Sequence, residues 1–153
     1  MKDFLREVDL LSGLDEEALD LVARKLRRHT FRPGDRIIQE DEPSGRCHML
    51  VSGTVRVAAH ATDREESYAI LNPRDHFGEI SLIDGLAPSA SVVAEKAVET
   101  LSISHDDLKD LMATDPRVAA ALLMSMMRSL CRRLRETDQS LSFTRLLVRQ
   151  KDR

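Results

Sequence analysis

The feature that most constrains this chain is a change in the spacing of its apolar residues. From Thr30 to Ile103, short apolar runs alternate with turn residues, which is typical of antiparallel strands that form a sandwich, roll or barrel. The runs lie at 36–38, 47–51, 54–59, 67–71, 91–94 and 98–103, and the turns between them at 33–35, 42–45, 52–53, 62–64 and 72–75. The spacing on either side of this region is helical. We therefore expect a mainly β fold with flanking helices.

Capping residues mark where the flanking helices begin. Asp15 precedes apolar residues at helical spacing through Leu26, and its carboxylate suits the unpaired N–H groups of a first turn. Ser104 takes the same position before a second helical run. Pro116 suits the first position of a third helix, because its missing N–H would be unpaired there. No glycine or proline follows Pro116 through Arg153, so we expect this third helix to be the longest element.

The last helix carries a mainly apolar seam at alternating steps of three and four residues. The seam positions are Ala120, Leu123, Met127, Leu130, Leu134, Thr137, Leu141, Thr144 and Val148. One interpretation packs this seam on the chain's own strands. However, a helix of ~34 residues is ~50 Å long, which exceeds the width of a domain of this size. We therefore favour a homodimer through this helix, and we divide the chain into a strand region with flanking helices, 1–115, and a long C-terminal dimerisation helix with a basic tail, 116–153.

Composition and charge exclude several classes of function. The net charge is −3, and although the residues from Arg128 onward sum to +5, the chain has no overall attraction for nucleic acid or an anionic membrane. Aromatic residues make up only 3% of the chain, without tryptophan, which argues against a stacking platform for single strands. No apolar run approaches the ~18 residues of a membrane helix. The two cysteines lack CxxC spacing, which favours a reduced, cytoplasmic setting.

One segment, Asp75–Ala94, carries the residues that point to a ligand. Gly78 lets the backbone approach a ligand closely, and Glu79 can accept hydrogen bonds from sugar hydroxyls. The four residues after Glu79 form one short helical turn whose N–H groups can face an anion. Small hydroxyls at Ser89 and Ser91 would line the same pocket. The segment therefore predicts a phosphate-binding turn beside a carboxylate that reads a ribose.

This segment resembles the cyclic-nucleotide-binding domain that CRP/FNR regulators, kinase regulatory subunits and nucleotide-gated channels share. The matching residues are Phe77–Leu82, together with Phe31–Gln39, which resembles the family's first hairpin, and Leu50–Val57, which resembles its glycine-containing turn. The resemblance spans roughly residues 10–135. It implies a double-stranded β-helix, which is a jelly-roll-like β-roll, with an N-terminal helix and a long C-terminal helix.

The resemblance also implies a ligand and the residues that bind it. The ligand would be a cyclic nucleotide, cAMP or cGMP, whose ribose 2′-hydroxyl binds Glu79. N–H groups around Gly78, Ile80, Ser89 and Ala90 would hold the cyclic phosphate. The long helix would cover the base, with Met124, Met127, Arg128 and Arg132 as candidate lid residues whose alternative role is dimer packing. The full predicted ligand set is Arg74, Gly78, Glu79, Ile80, Ser81, Pro88, Ser89, Ala90, Ser91, Met127 and Arg128.

The sequence departs from the family pattern where members that bind cAMP or cGMP usually carry an arginine that pairs with the phosphate. Pro88 takes this position, or Ala87 or Ser89 with a different loop length, and no arginine occurs between Arg74 and Arg117. Losing a charge-assisted hydrogen bond worth ~1.5–3 kcal/mol would weaken binding ~10–200-fold. Arg74 is a candidate substitute, and its alternative role is an exposed turn residue. Glu40 also stands where family members often have glycine.

These observations predict a sensory module that couples ligand binding in the β-roll to the C-terminal dimer helix. The alternatives are a roll that has lost ligand binding and serves as a dimerisation or protein-docking scaffold, or the effector half of a longer transcription regulator. We expect no direct DNA binding, because no helix-turn-helix follows the last helix, and the basic tail at 145–153 is a candidate surface for a protein partner. The scattered histidines predict no metal site and argue against a cupin-type enzyme, and no nucleophile motif indicates catalysis.

Overall fold

Two antiparallel sheets form the centre of the chain, and helices flank them in sequence. A computed structural model describes the backbone of residues 2–61 and 64–151 and the side chains of residues 2–58 and 69–137. The strands are β1 Arg27–Phe31, β2 Arg36–Ile38, β3 Arg46–Ser52, β4 Val55–Ala61, β5 Arg64–Leu71, β6 His76–Phe77, β7 Ser91–Ala94 and β8 Val98–Ser104. The helices are α1 Lys2–Glu7, α2 Glu16–Lys25, α3 Glu79–Asp84, α4 His105–Thr114 and α5 Pro116–Lys151, with a 3-10 turn at Asp9–Leu11.

The strand order confirms the predicted jelly-roll-like β-roll. One four-stranded sheet has the order β1-β8-β3-β6, and the other has the order β2-β7-β4-β5. The expected hairpin within Phe31–Gln39 is wrong, because β1 pairs with β8 and β2 pairs with β7. The turn at Pro33 and Gly34 carries the chain from one sheet to the other instead, and Gly34 has φ +89°. The predicted turn residues Thr62 and Asp63 lie outside the described residues.

The predicted caps explain where three helices begin. The Asp15 carboxylate accepts a hydrogen bond from the Ala18 N–H at 2.9 Å. The Ser104 hydroxyl accepts one from the Asp107 N–H at 3.1 Å, and the Asp107 carboxylate accepts one from the Ser104 N–H at 3.1 Å, which completes a capping box. Pro116 is the first residue of α5. None of the helices within the described residues is long and apolar enough to cross a membrane.

Two apolar clusters fill the interior. One lies between the two sheets and contains Leu50, Phe77 and Val92, among others. The other lies between the helices and the outer face of the β3 sheet, and α5 contributes Val118, Ala119, Leu122 and Met126 to it. The division of the chain at residue 116 stays a prediction, although α5 packs on the rest of the chain through these four residues.

The predicted seam of α5 lies on the outward side of the helix at Met127 and Leu134. Met127 is 56% exposed and Leu134 is 62% exposed, whereas the buried residues of α5 are offset from the seam positions. The side chains of Leu141, Thr144 and Val148 lie outside the described residues. Leu123, another seam residue, is partly buried and packs against the helical cluster. The seam is therefore divided between the chain's own core and the outward side of the helix, and its pairing with a second copy stays a prediction.

Candidate functional site

A cavity of about 850 Å³ opens between the β7 sheet, α3 and α5. Its apolar lining comprises Ile38, Val57, Ala69, Leu71, Phe77, Ile80, Leu86, Ala87, Pro88, Ala90 and Val92, and its other lining residues are Gly78, Glu79, Ser81, Asp84, Ser89, Arg133, Glu136 and Thr137. Its size lies in the range of small-molecule sites, as does the combination of an apolar wall with a few polar groups. The structure thus brings together seven of the predicted ligand residues, namely Gly78, Glu79, Ile80, Ser81, Pro88, Ser89 and Ala90.

Gly78 sets the position of α3 in this cavity. Its φ is +86°, in the left-handed region that favours glycine. A Cβ atom at this position would lie 2.3 Å from the Arg46 carbonyl oxygen and 3.0 Å from Ile38 Cδ1. Glycine is therefore required here for close packing of the turn against β3, in addition to any approach of a ligand.

Glu79 is a buried carboxylate whose partner comes from α5. Its side chain is 2% exposed, and Arg133 Nη1 donates a hydrogen bond to Glu79 Oε1 at 2.6 Å. The second nitrogen of the guanidinium, Nη2, donates to the His76 carbonyl oxygen at 2.6 Å. A carboxylate has room for about four acceptor contacts, so Glu79 can accept a further donor while Arg133 stays in place.

His76 lies next to this pair without adding a charge at neutral pH. Burial, together with the nearby Arg133 guanidinium, lowers the pKa of His76 to about 4. Its Nε2 atom lies 3.1 Å from Ser129 Oγ and 3.9 Å from Glu79 Oε1. Neutral His76 therefore packs between α5 and the sheet, and Arg133 supplies the positive charge next to Glu79.

The loop after α3 forms an uncharged wall of the cavity. Pro88, Ser89 and Ala90 line it, and the Pro88 carbonyl oxygen accepts a hydrogen bond from the Asp41 N–H at 3.0 Å. Ser91 does not line the cavity and is 1% exposed. Its hydroxyl accepts a hydrogen bond from the Glu40 N–H at 2.9 Å and so connects β7 to the end of β2.

Three predicted ligand residues lie away from the cavity. Arg74 forms an ion pair with Glu7, with 2.6 Å between Nε and Oε2, and its side chain is 61% exposed. Met127 and Arg128, with the candidate lid residues Met124 and Arg132, line a second groove of about 530 Å³ on the outward side of α5. Cys131, Arg135 and Glu136 complete this groove, which we call the outer groove.

The helix presents a different set of residues to the cavity from the predicted lid. Arg133, Glu136 and Thr137 are the α5 residues that line it. Each residue turns a helix by about 100°, so Arg133 and Met127 point in different directions. The sequence places Thr137 in the dimer seam and does not distinguish Arg133 from its basic neighbours. The spacing of Arg133 and Thr137, which is about one helical turn, indicates only that the two residues share one side of α5.

The described cavity residues carry one cation and three carboxylates. Arg133 is the cation, and Glu79, Asp84 and Glu136 are the carboxylates. Asp84 Oδ1 accepts a hydrogen bond from the Leu86 N–H at 2.9 Å, which holds it at the end of α3. Arg133 pairs with Glu79, and Glu136 interacts electrostatically with Arg132 on the same helix.

Comparison with known proteins gives matches over most of the chain. A family model described as "Cyclic nucleotide-binding domain" matches residues 28–115. The "CRP-like cAMP-activated global transcriptional regulator" of Mycobacterium tuberculosis is 30% identical over 143 residues, which cover 93% of this chain and 62% of that protein. This chain thus spans about three fifths of the length of that regulator.

Solved structures give the same result. The catabolite activator protein of Thermus thermophilus is 31% identical with a TM-score of 0.78, over 88% of this chain and 62% of that chain. The regulatory subunit of a cAMP-independent protein kinase A from Trypanosoma cruzi, bound to guanosine, is 26% identical with a TM-score of 0.68. The second match covers 77% of this chain and 41% of that chain.

Proposed function

Since the chain belongs to the cyclic nucleotide-binding domain family, we propose that it is a sensory module without catalytic activity whose β-roll cavity binds a ribose-bearing ligand of the nucleotide class. The observation that carries the proposal is the buried Glu79 carboxylate, 2% exposed, in the lining of a cavity of about 850 Å³. A buried carboxylate is costly to desolvate unless it has partners. Arg133 is one partner, and a ribose hydroxyl supplies a second when the ligand is bound.

We propose cAMP and cGMP as the first ligands to test. The family match supports them, and the CRP-like relative is described as cAMP-activated. The guanosine-bound relative from Trypanosoma cruzi supports adding nucleosides to the same screen. The neutral wall at Pro88 argues for weaker binding of the phosphate than an arginine would give.

The same pair of residues supports a route from the cavity to α5. Arg133 is a residue of α5 and binds Glu79 at the start of α3. A ligand that binds Glu79 therefore changes the contacts that hold α5 against the roll. This shifts the population between two helix positions, provided that the ligand binds one of them more tightly.

We propose that the output is a homodimer through the outer groove of α5. Met124 and Met127 are 49% and 56% exposed, and Leu134 beyond them is 62% exposed. An apolar strip of this kind on a long helix suits pairing with a second copy. The scaffold without a ligand remains the second candidate, and the absence of a cation from the Pro88 wall favours it.

Ligand binding is tested by thermal unfolding and calorimetry with cAMP, cGMP and guanosine. A specific ligand at 100 times its dissociation constant should stabilise the fold by about 2.7 kcal/mol. Glu79→Gln should weaken binding, whereas Glu17→Gln, which removes an exposed carboxylate on α2, should not. No stabilisation of the wild type by any of the three ligands at millimolar concentration would leave the scaffold as the function. Recovery of the ligands unchanged after incubation tests the absence of catalysis.

A further inference from the structure

The inner face of the β3 sheet, which is turned towards the other sheet, changes from apolar to polar along its strands. Phe31 on β1 packs against the apolar cluster between the sheets. Alternate residues of a strand share a face, so His29 and Arg27 follow Phe31 on the same face. On β3, His48 and then Arg46 extend this face towards the start of the strand. The inner face therefore ends in two arginines.

Ser102, on β8, lies at the centre of this polar end. It is fully buried, and the strand register places it opposite Arg27 on one side and His48 on the other. His29 Nε2 lies 2.8 Å from Ser102 Oγ, and Arg46 Nη1 donates a hydrogen bond to the same oxygen at 3.4 Å. An imidazole and a guanidinium therefore converge on one buried hydroxyl.

The two arginines bring positive charge to this point without a close counter-charge. Neither Arg27 nor Arg46 forms an ion pair with a carboxylate in the described part of the chain. Asp107 attracts Arg27 from beyond ion-pair distance, and its carboxylate accepts a hydrogen bond from the Ser104 N–H. Burial lowers the pKa of His29, and the guanidinium groups of Arg46 and Arg27 lower it further. Both cations therefore lie close to the same imidazole.

The four residues that converge here do not line the cavity described above. We call them the arginine cluster, namely Arg27, His29, Arg46 and Ser102. The ring of His48 lies between the two places, because its centroid is 5.5 Å from that of His29 and 5.3 Å from that of Phe77. Phe77 lines the cavity. The arginine cluster is thus a separate place on the other side of two stacked rings.

We propose that the arginine cluster binds the phosphate group of a small molecule. Two guanidinium groups match the charge of a doubly ionised phosphate, and their forked N–H donors suit its oxygen atoms. The bound anion reduces the repulsion between Arg27 and Arg46. It also raises the pKa of His29, because it offsets the two positive charges that lower this pKa. The inference does not depend on the proposed function, since the cluster lies outside the cavity.

The first test follows the histidine ring signals of the full chain by NMR during titration with inorganic phosphate. Phosphate also stabilises many proteins because it is excluded from their surface, so unfolding experiments alone do not test the inference. The ring signals of His29 and His76 are assigned through His29→Gln and His76→Gln. The His29 signal should shift and saturate, and the pKa of His29 should rise, whereas the His76 signal should stay in place.

Sodium chloride at the same ionic strength is the control titration. An equal response of His29 to phosphate and to chloride overturns the inference, because it shows screening rather than binding. A shift of the His76 signal alone also overturns it, because His76 lies next to Arg133 and the phosphate would then bind there.

The second test removes the cations one at a time. Arg46→Gln should weaken phosphate binding ~10–200-fold, which is the effect of one charge-assisted hydrogen bond, and should raise the pKa of His29 in the absence of phosphate. Arg27→Gln should also weaken binding, and because Arg27 is exposed this variant leaves the core intact. Arg32→Gln, which removes an exposed arginine directly after β1, is the matched control. Equal weakening by all three variants would overturn the inference.

The third test distinguishes the free ion from a phosphate monoester. Inorganic phosphate and methyl phosphate present the same charged oxygen atoms, and both are titrated against the His29 signal. Tighter binding of inorganic phosphate supports a site for the free ion, and tighter binding of methyl phosphate supports a site for a phosphorylated small molecule. Failure of both to shift the signal overturns the inference and leaves the proposed function of the cavity unaffected.

Discussion

Arg133, halfway along α5, donates a hydrogen bond to the buried carboxylate of Glu79 at the first position of α3, with 2.6 Å between Nη1 and Oε1. Fifty-four residues separate the two in sequence. The pair joins the longest helix of the chain to the segment that lines the cavity. Under the proposed function, a ligand that contacts Glu79 acts on this connection, and it shifts the position of α5 if it binds one position more tightly.

The first prediction concerns the strength of this pair. Arg133→Gln should lower the free energy of unfolding by about 2 kcal/mol, because it leaves Glu79 buried without its cation. The double variant with Glu79→Gln should lose less than the sum of the two single variants. Urea unfolding of the four proteins measures the coupling.

A pair on the surface provides the control for that cycle. Arg117 and Asp15 form an ion pair with side chains 67% and 57% exposed. The same cycle on these two residues should show no measurable coupling, because water screens exposed pairs. Equal coupling at both pairs would contradict the assignment of Glu79 as a buried carboxylate held by Arg133.

The second prediction concerns stability at acid pH. Burial lowers the pKa of His48 to about 3 and that of His76 to about 4. The unfolded chain, with ordinary values of about 6.5, therefore binds more protons between pH 6.5 and these lowered values. The contribution of these two histidines to the free energy of unfolding should be constant above pH 6.5. Below pH 6.5 the free energy of unfolding should fall, by up to about 1.4 kcal/mol per pH unit for each histidine.

Urea unfolding at pH 7 and pH 5 measures this pH dependence. Both values lie above the ordinary pKa values of Asp and Glu, so carboxylate titration contributes little to the difference. His48→Gln and His76→Gln should each flatten the pH dependence, and the double variant should flatten it further. Both variants keep a hydrogen-bonding side chain, which limits the loss of packing with Thr100 and Ser129. An unchanged slope in the double variant would contradict the lowered pKa values.

The third prediction concerns Gly78. Alanine at this position should lower the free energy of unfolding by roughly 3 kcal/mol, because a left-handed conformation costs about 1–2 kcal/mol and the Cβ atom would clash with the Arg46 carbonyl oxygen. Gly34 is the matched control, with φ +89° and no atom within 4 Å of its Cβ position. Gly34→Ala should show only the conformational cost. Thermal or urea unfolding compares the two variants, and equal losses would show that the close contact at Gly78 has no effect.

The fourth prediction concerns the association of two copies. Met127→Glu should shift the chain from dimer to monomer in analytical ultracentrifugation, because it places charges in the apolar groove of each copy. Met112→Glu is the control, since Met112 is 52% exposed on α4 and lies away from the outer groove. A dimer through this groove should also permit a mild oxidant to link the exposed Cys131 of each copy, and Cys131→Ser should abolish that link. A wild-type chain that sediments as a monomer would overturn the dimer proposal.

The strands and caps could be predicted from sequence because both depend on local rules. Alternating apolar runs and turn residues located β2 to β5, β7 and β8, and Asp15 and Ser104 located the starts of helices. The pairing of β1 with β8 could not be predicted from local patterns, because it depends on whether the turn at Pro33 and Gly34 leads to a strand of the same sheet or of the other sheet. Strand order is a property of the whole roll.

In the cavity, too, the features that depend on local sequence could be predicted and those that depend on tertiary packing could not. Gly78 and Glu79 were predicted from a short motif, because the backbone conformation and the carboxylate are local features. The α5 residues that line the cavity differ from the predicted lid residues, because Leu122 and Met126 pack into the helical cluster and so set the rotation of α5. Arg133 therefore emerged only from the structure.

Glu136 borders both the cavity and the outer groove. An α-helix is stiff over a few turns, so its two sides cannot move independently. A rotation that relieves crowding around a bound molecule must reorient the surface offered to a neighbouring chain by the same angle. The proposed coupling between ligand and dimer therefore needs no relay of side chains beyond α5, because the thickness of a single helix is the whole distance between the cavity and the outer groove.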